Sequence, residues 1–183
     1  MKIVELDAHS VNPGDLSWEE IKELGELELY DRTAPEDVVK RAHDADAILI
    51  NKINVSEDVM KSLPRLRYIG EMATGFNNID IKAAQRLGIT VTNIPAYSTD
   101  SVAQIVFAHI LNITNRVDHY ATETRQGIWS RNPDFCNWDT PLIELAGKSL
   151  GIVGLGHIGM RVAEIAHCFG MTVTAVTSKE RQA

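Results

Sequence analysis

Through the first hundred positions the apolar residues fall into short runs separated by polar links that carry glycine and proline. Residues 2–6, 27–30, 47–50, 66–72 and 89–93 are runs of strand length, rich in Ile, Leu and Val. The links between them carry helix-start signals. Ser17-Trp18-Glu19-Glu20 has capping-box spacing and predicts a helix to about residue 24. Thr33-Ala34-Pro35-Glu36 repeats that spacing with proline in the first turn, and predicts a helix to about residue 43. Ser56 before Glu57 and Asp58 opens a third helix that ends ahead of Pro64, and residues 79–87 form a fourth, closed by Gly88. Strictly alternating strands and helices with short links predict a doubly wound parallel sheet, one α/β domain over residues 1–96.

The period then changes. Val102, Ile105, Val106, His109, Ile110, Ile113, Val117 and Tyr120 recur at helical spacing and predict one long helix over residues 100–125. His109 on that stripe reads as a core or interface histidine. Residues 127–140 hold Trp129, Pro133, Phe135, Cys136 and Trp138 without periodicity. Such a segment packs on a partner chain, roofs a cleft or docks on its own domain.

Residues 148–177 hold the clearest pattern in the chain. Ser149 to Val153 is a buried-strand run, and Gly154-Leu155-Gly156-His157-Ile158-Gly159 is a G-x-G-x-x-G. Ile158, Val162, Ile165, Ala166 and Phe169 follow at helical spacing, Gly170 stops the helix, and residues 171–176 form a second strand. Strand, glycine turn, helix and returning strand are the context in which this motif means dinucleotide binding. Gly154 supplies the tight turn, Gly156 lets the backbone approach a pyrophosphate, and Gly159 lets helix and strand pack closely. The anion then sits on unpaired N–H groups at the helix N-terminus, where the dipole favours negative charge. An acid for the ribose 2′-hydroxyl is expected about 20 residues on, at the end of the second strand. That position is Thr177, followed by Ser178, Lys179, Glu180 and Arg181. Hydroxyls and cations suit a 2′-phosphate and Glu180 suits a 2′-hydroxyl, so both NAD and NADP remain open, as does a plain solvated loop.

Composition narrows the partners. The 183 residues are 44% hydrophobic and 23% charged, enough apolar content for a proper core. A net charge of −7 with no basic cluster argues against nucleic acid and against an anionic membrane surface. The apolar runs are far shorter than a membrane span, and residues 1–7 read directly as a first strand with no signal peptide. The two cysteines, Cys136 and Cys168, lack metal-ligand spacing and point to a reduced, cytoplasmic protein; no metal is expected.

Three stretches in order carry a resemblance: Glu71-Met72-Ala73-Thr74-Gly75-Phe76-Asn77-Asn78-Ile79-Asp80, Ser98-Thr99-Asp100-Ser101-Val102-Ala103-Gln104, and Gly147-Lys148-Ser149-Leu150-Gly151-Ile152-Val153-Gly154-Leu155-Gly156-His157-Ile158-Gly159. Together they resemble the D-isomer-specific 2-hydroxyacid dehydrogenases over the whole chain, nearest the glycerate dehydrogenase branch. The resemblance implies a flavodoxin-like substrate domain over residues 1–96. Residues 97–183 would then be the first half of a Rossmann NAD(P)-binding domain. It implies hydride transfer between NAD(P)H and a small 2-keto acid such as hydroxypyruvate or glyoxylate, in a protein that usually forms a homodimer. Matched by position, Thr74 and Gly75 resemble the turn that binds the substrate carboxylate through backbone N–H groups, and Thr74 also resembles a cofactor-touching residue. Lys52 resembles the basic residue beside the substrate, or is an exposed loop lysine. Asn77 and Asn78 cap the next helix or shape the turn. Gly154, Gly156, His157, Ile158 and Gly159 resemble the pyrophosphate loop, with Thr177 at the acid's position; His157 is not the catalytic histidine. The family's catalytic arginine, carboxylate and histidine fall beyond Ala183 by this match. The alternative is therefore a non-catalytic dinucleotide-binding or interaction protein.

Overall fold

The computed structural model describes residues 1–178. The chain divides into two compact units, the first Met1–Pro95 and the second starting at Ala96.

In the first unit the elements are β1 (Lys2–Glu5), α1 (Glu19–Lys22), β2 (Glu26–Leu29), α2 (Val38–Ala42), β3 (Ala47–Ile50), α3 (Glu57–Lys61), β4 (Tyr68–Glu71), α4 (Ile81–Leu87) and β5 (Thr90–Thr92). All strand pairs are parallel, in the order β2-β1-β3-β4-β5. The sheet is the expected doubly wound one. Its core is Val4, Ile48, Ile50 and Ile69 from the strands and Leu6 just after β1, with Val38, Ala42, Met60, Ala83 and Ala84 from the helices. Because the chain moves one way from β1 to β2 and the other way from β1 to β3, the order reverses there. The crevice at the carboxyl ends of those two strands is the switch point where open α/β sheets bind ligands.

Two helix starts differ from the capping-box expectation. Thr33 donates its hydroxyl to the Leu6 carbonyl rather than capping, so Pro35–Asp37 is a 3₁₀ turn and α2 begins at Val38. Ser17 accepts from the Glu19 N–H at 3.2 Å, which yields only the single-turn α1. Ser56 does cap α3, and Gly88, at φ +71°, closes α4. Asp80, not Asn77 or Asn78, is the N-cap of α4, accepting from the Ala83 N–H at 2.9 Å.

The second unit holds α5 (Thr99–Asn115), α6 (Val117–Arg125), α7 (Ile128–Arg131), β6 (Ser149–Val153), α8 (His157–Cys168) and β7 (Thr172–Val176). The expected single helix over residues 100–125 is two helices. Arg116 takes a left-handed conformation at φ +50°, and Asn112 is the reason. Its side chain accepts from the Asp118 N–H at 3.1 Å and donates to the Asp118 carboxylate at 2.9 Å, competing with the straight helix. The buried face of α5 also differs from the expected stripe. Ala103 and Phe107 are buried, with Val106, Ile110 and Leu111 partly so, whereas Ile105, His109 and Ile113 face solvent. Phe107 stacks on Phe169, with ring centroids 5.3 Å apart. The aromatic segment contains α7 and is tied to α6 through Asp139, which lies 2.8 Å from His119 Nε2 and accepts from the Tyr120 hydroxyl at 3.0 Å.

Among the described residues β6 and β7 form a two-stranded parallel sheet in register from Ser149–Thr172 to Val153–Val176, and α8 crosses between them. One sheet face, with Leu150, Ile152 and Val173, packs with Val162 and Ala166 of α8 and with Phe107 of α5. On the other face Val153 is 92% exposed and Val176 68%. No helix among the described residues is long and apolar enough to cross a membrane.

Candidate functional site

In the second unit the sequence dictates a tight loop between β6 and α8. Gly154 stands at φ +96°, a conformation that L side chains rarely adopt, and its N–H donates to Val176 O at 2.7 Å. A Cβ on Gly159 would lie 2.2 Å from Gly154 O, so the first turn of α8 can approach the loop only without a side chain there. A Cβ on Gly156 would meet nothing within 4 Å. Its hydrogen instead leaves the loop backbone open to whatever lies above it.

Gly156 is the N-cap of α8 and supplies no side chain. The first turn carries His157 and Ile158, no acidic residue and no side-chain cap. Its N–H groups and the dipole of a twelve-residue helix therefore point at open space. A cleft of about 460 Å³ lies there, lined by Val153, Gly154, Leu155, Gly156, Val176, Thr177 and Ser178. Thr177, the residue at the ribose-acid position, is on the rim of the same cleft as the glycines. Lys179, Glu180 and Arg181, also weighed as 2′-position contacts, lie outside the described residues. These features fit a dinucleotide pyrophosphate: an anion suits the helix end, and the glycines remove the atoms that would block it.

The first unit gathers the remaining candidates at the carboxyl edge of its sheet. Lys52 follows β3 and is exposed, with Nζ donating to Asn51 Oδ1 at 2.9 Å. Thr74 and Gly75 form the exposed turn after β4. The Thr74 hydroxyl donates to Ile94 O at 3.0 Å, and Asn93 Nδ2 donates to Thr74 O at 2.8 Å, which pins the turn to the segment after β5. The Thr74 and Gly75 N–H groups have no protein acceptor among the described residues, leaving two donors for a carboxylate. Asn78 shapes the turn from below, its Nδ2 donating to Glu71 Oε2 and to Ile53 O, both at 2.9 Å.

Sequence reasoning passed over three residues here: Glu5, Asp7 and Glu71. All three are buried, Glu5 completely. Asp7 accepts from the backbone N–H of Asn51 at 2.9 Å and of Lys52 at 2.6 Å. Burial pushes the Glu5 carboxyl up to about 8, further helped by the Asp7 charge and opposed by the Asp7 N–H it accepts. Burial raises Glu71 too, against the Asn78 hydrogen bond and the Lys52 charge. The available signal was a pair of acids, each next to last in a strand-length run, Glu5 in residues 2–6 and Glu71 in residues 66–72.

Residues 8–182 match the model of the D-isomer specific 2-hydroxyacid dehydrogenase catalytic domain. The chain belongs to the D-isomer specific 2-hydroxyacid dehydrogenases. It is 45% identical over 178 residues to a hydroxypyruvate reductase of Blautia hydrogenotrophica, covering 96% of this chain and 55% of that protein. It superposes on a D-lactate dehydrogenase from Aquifex aeolicus complexed with NAD and lactic acid, with a TM-score of 0.76 and 27% identity, covering 100% of this chain and 53% of that one. An acyclic imino acid reductase in complex with NADPH and D-Arg gives a TM-score of 0.77 at 27% identity, covering 100% of this chain and 58% of that one. The chain thus spans somewhat over half the length of these proteins.

Proposed function

We propose that this chain supplies the substrate-carboxylate turn and the pyrophosphate loop of an NAD(P)-dependent dehydrogenase that reduces a small 2-keto acid such as hydroxypyruvate or glyoxylate. One observation carries the reading: the uncapped, acid-free N-terminus of α8 behind a glycine loop that a Cβ at Gly159 would disrupt. Family membership and the likeness to a hydroxypyruvate reductase support the substrate class. The likeness to one structure holding NAD and another holding NADPH supports the cofactor class.

In this reading Gly154, Gly156, His157, Ile158 and Gly159 hold the pyrophosphate, and Thr177 meets the adenosine ribose. The bound nicotinamide supplies the hydride. Thr74 and Gly75 offer backbone N–H groups to the substrate carboxylate, and Lys52 adds a positive charge that neutralises it. Fixing the carboxylate orients the 2-keto carbon, which converts part of the barrier into prepaid positional entropy. Protonating the resulting alkoxide falls, by the family pattern, to a histidine paired with a carboxylate outside residues 1–183, alongside an arginine. We also assign a homodimer, supported by the exposed apolar residues Ile105, Ile113, Trp129, Phe135 and Trp138 on α5, α7 and the aromatic segment.

Two measurements separate this from a non-catalytic dinucleotide-binding or interaction protein. Titration with NADH and NADPH should quench the intrinsic fluorescence of the chain at micromolar cofactor, and Thr177→Asp should shift the preference toward NADH. No binding of either cofactor overturns the pyrophosphate assignment. Oxidation of NADH or NADPH with hydroxypyruvate or glyoxylate by the full-length gene product then decides between the enzyme and the binding protein. A monomeric mass at micromolar concentration removes the dimer.

A further inference from the structure

At the carboxyl edge of the first sheet three acids stand where charge is costly. Glu5 is the last residue of β1, Glu71 the last residue of β4, and Asp7 lies two residues beyond β1. Their exposures are 0%, 1% and 6%. Acids in such places persist when a hydrogen-bond network uses them.

The network's direction is clear from its donors. Asp7 accepts the N–H groups of Asn51 and Lys52 and the Ser10 hydroxyl, the last at 3.2 Å. Both backbone bonds reach the segment that presents the Lys52 side chain. Glu5 Oε1 accepts the Asp7 N–H at 3.1 Å, fixing the residue that fixes Lys52. Glu71 is joined through Asn78 to Ile53 O, so it ties the residue after Lys52 to the end of the Thr74–Gly75 turn. Two atoms are left over. Glu5 Oε2 and Glu71 Oε1 are buried side-chain oxygens with no hydrogen-bond partner among the described residues. A buried carboxylate oxygen without a donor is strongly unfavourable, and a proton on the group removes the larger part of that cost, the part due to charge.

We propose that Glu5, Asp7 and Glu71 are positioning residues that hold Lys52 and the Thr74–Gly75 turn in the geometry that receives a substrate carboxylate. The inference rests on the substrate site proposed above and deepens it. Glu5, buried beside the Asp7 charge with one oxygen unpartnered among the described residues, carries the proton of the network at neutral pH. The titratable and charged groups facing Glu5 are Asp7 and Glu71, and Lys52 faces Glu71. Losing the Glu5 proton places a second negative charge against Asp7. It thereby strains the two bonds that hold Asn51 and Lys52.

The test uses the chain itself. In ¹⁵N- and ¹³C-labelled protein, the Glu5 side-chain carboxyl and the Asn51 and Lys52 amides are followed from about pH 6 to about pH 9.5. Glyoxylate binding is measured at each pH by the shifts of the Thr74 and Gly75 amides. The expected result is that both amides move with the Glu5 midpoint and that glyoxylate affinity falls about tenfold across it. Glu5→Gln, neutral at every pH and nearly the same shape, should remove both transitions while keeping the affinity seen at low pH. Asp7→Asn should weaken glyoxylate at all pH values. In the full-length enzyme Asp7→Asn should raise KM for the keto acid at every pH, Glu5→Gln should lower it only above the Glu5 midpoint, and both should leave kcat within twofold. Asn51 and Lys52 amides that do not follow Glu5, or a Glu5→Gln protein that keeps the wild-type pH profile, overturn the proposal. Amides that follow Glu5 in a protein that binds no glyoxylate at any pH support the link from Glu5 to Lys52 and overturn the substrate site instead.

Discussion

At the scale of single residues, one glycine and one glutamate carry more than their neighbours. Gly159 is buried against Gly154 O and Ile152, so any Cβ must push α8 away from β6. Gly159→Ala should cost about 1–3 kcal/mol of stability, the usual penalty for overpacking, and should weaken NADH binding as the helix end moves off the loop. Urea unfolding and fluorescence titration check the two effects. Glu5 makes an opposite kind of demand. Its carboxyl rises from 4.5 in an exposed setting to about 8 when folded. Between those values the folded chain holds a proton that the unfolded chain has released, so stability declines as pH climbs through this window and levels off above it. Glu5→Gln should flatten that slope and leave the variant more stable than wild type at about pH 9, by on the order of a few kcal/mol. Melting temperatures across the window measure it. The glycine was legible in the sequence because its constraint is local and its spacing fixed. Glu5 was not, because a charged side chain is read by default as a solvent-facing one, and only the pairing of β1 between β2 and β3 buries it.

At the scale of elements, strands were easier to read than helices. Residues 47–50 and 149–153 are strands over the expected spans, both read from continuous apolar runs, but only the first is buried. The expected burial of 149–153 is not met, because one face of its two-stranded sheet is open among the described residues and leaves Val153 92% exposed. Where the helices begin and end depends on which side chain wins a backbone group. Thr33 spends its hydroxyl on Leu6, and Asn112 spends its amide on Asp118. Neither bond is visible in a helical period that runs through Ile113, Val117 and Tyr120 without interruption. The β6–β7 pair invites a prediction of its own. Among the described residues each strand has one ladder partner, and Val153 and Val176 are exposed on the outer face. Unpaired strand edges beside apolar residues recruit other strands. The 183-residue chain expressed alone should therefore associate beyond a dimer as concentration rises, and a charged residue at Val176 should reduce this in light scattering.

At the scale of the whole molecule the described residues form two cores rather than one. Val4, Ile48, Ile69 and their neighbours come only from residues before Pro95, and Phe107, Val162 and Met171 only from residues after it. Each unit has the apolar interior of an independent domain. Residues 1–95 alone should show one cooperative unfolding transition with the far-ultraviolet signature of an α/β protein; a non-cooperative melt would contradict the division.

The strand order also sets a timetable for synthesis. Lys2–Glu5 leave the ribosome ahead of the other strands of the first sheet and become an interior strand, flanked by partners at residues 26–29 and 47–49. They emerge well before either flank is complete. At about 5–20 residues per second, that wait lasts seconds. Once Thr92 has emerged every strand of the first sheet exists. The first unit can then close while the glycine loop, more than sixty residues later, has yet to be translated.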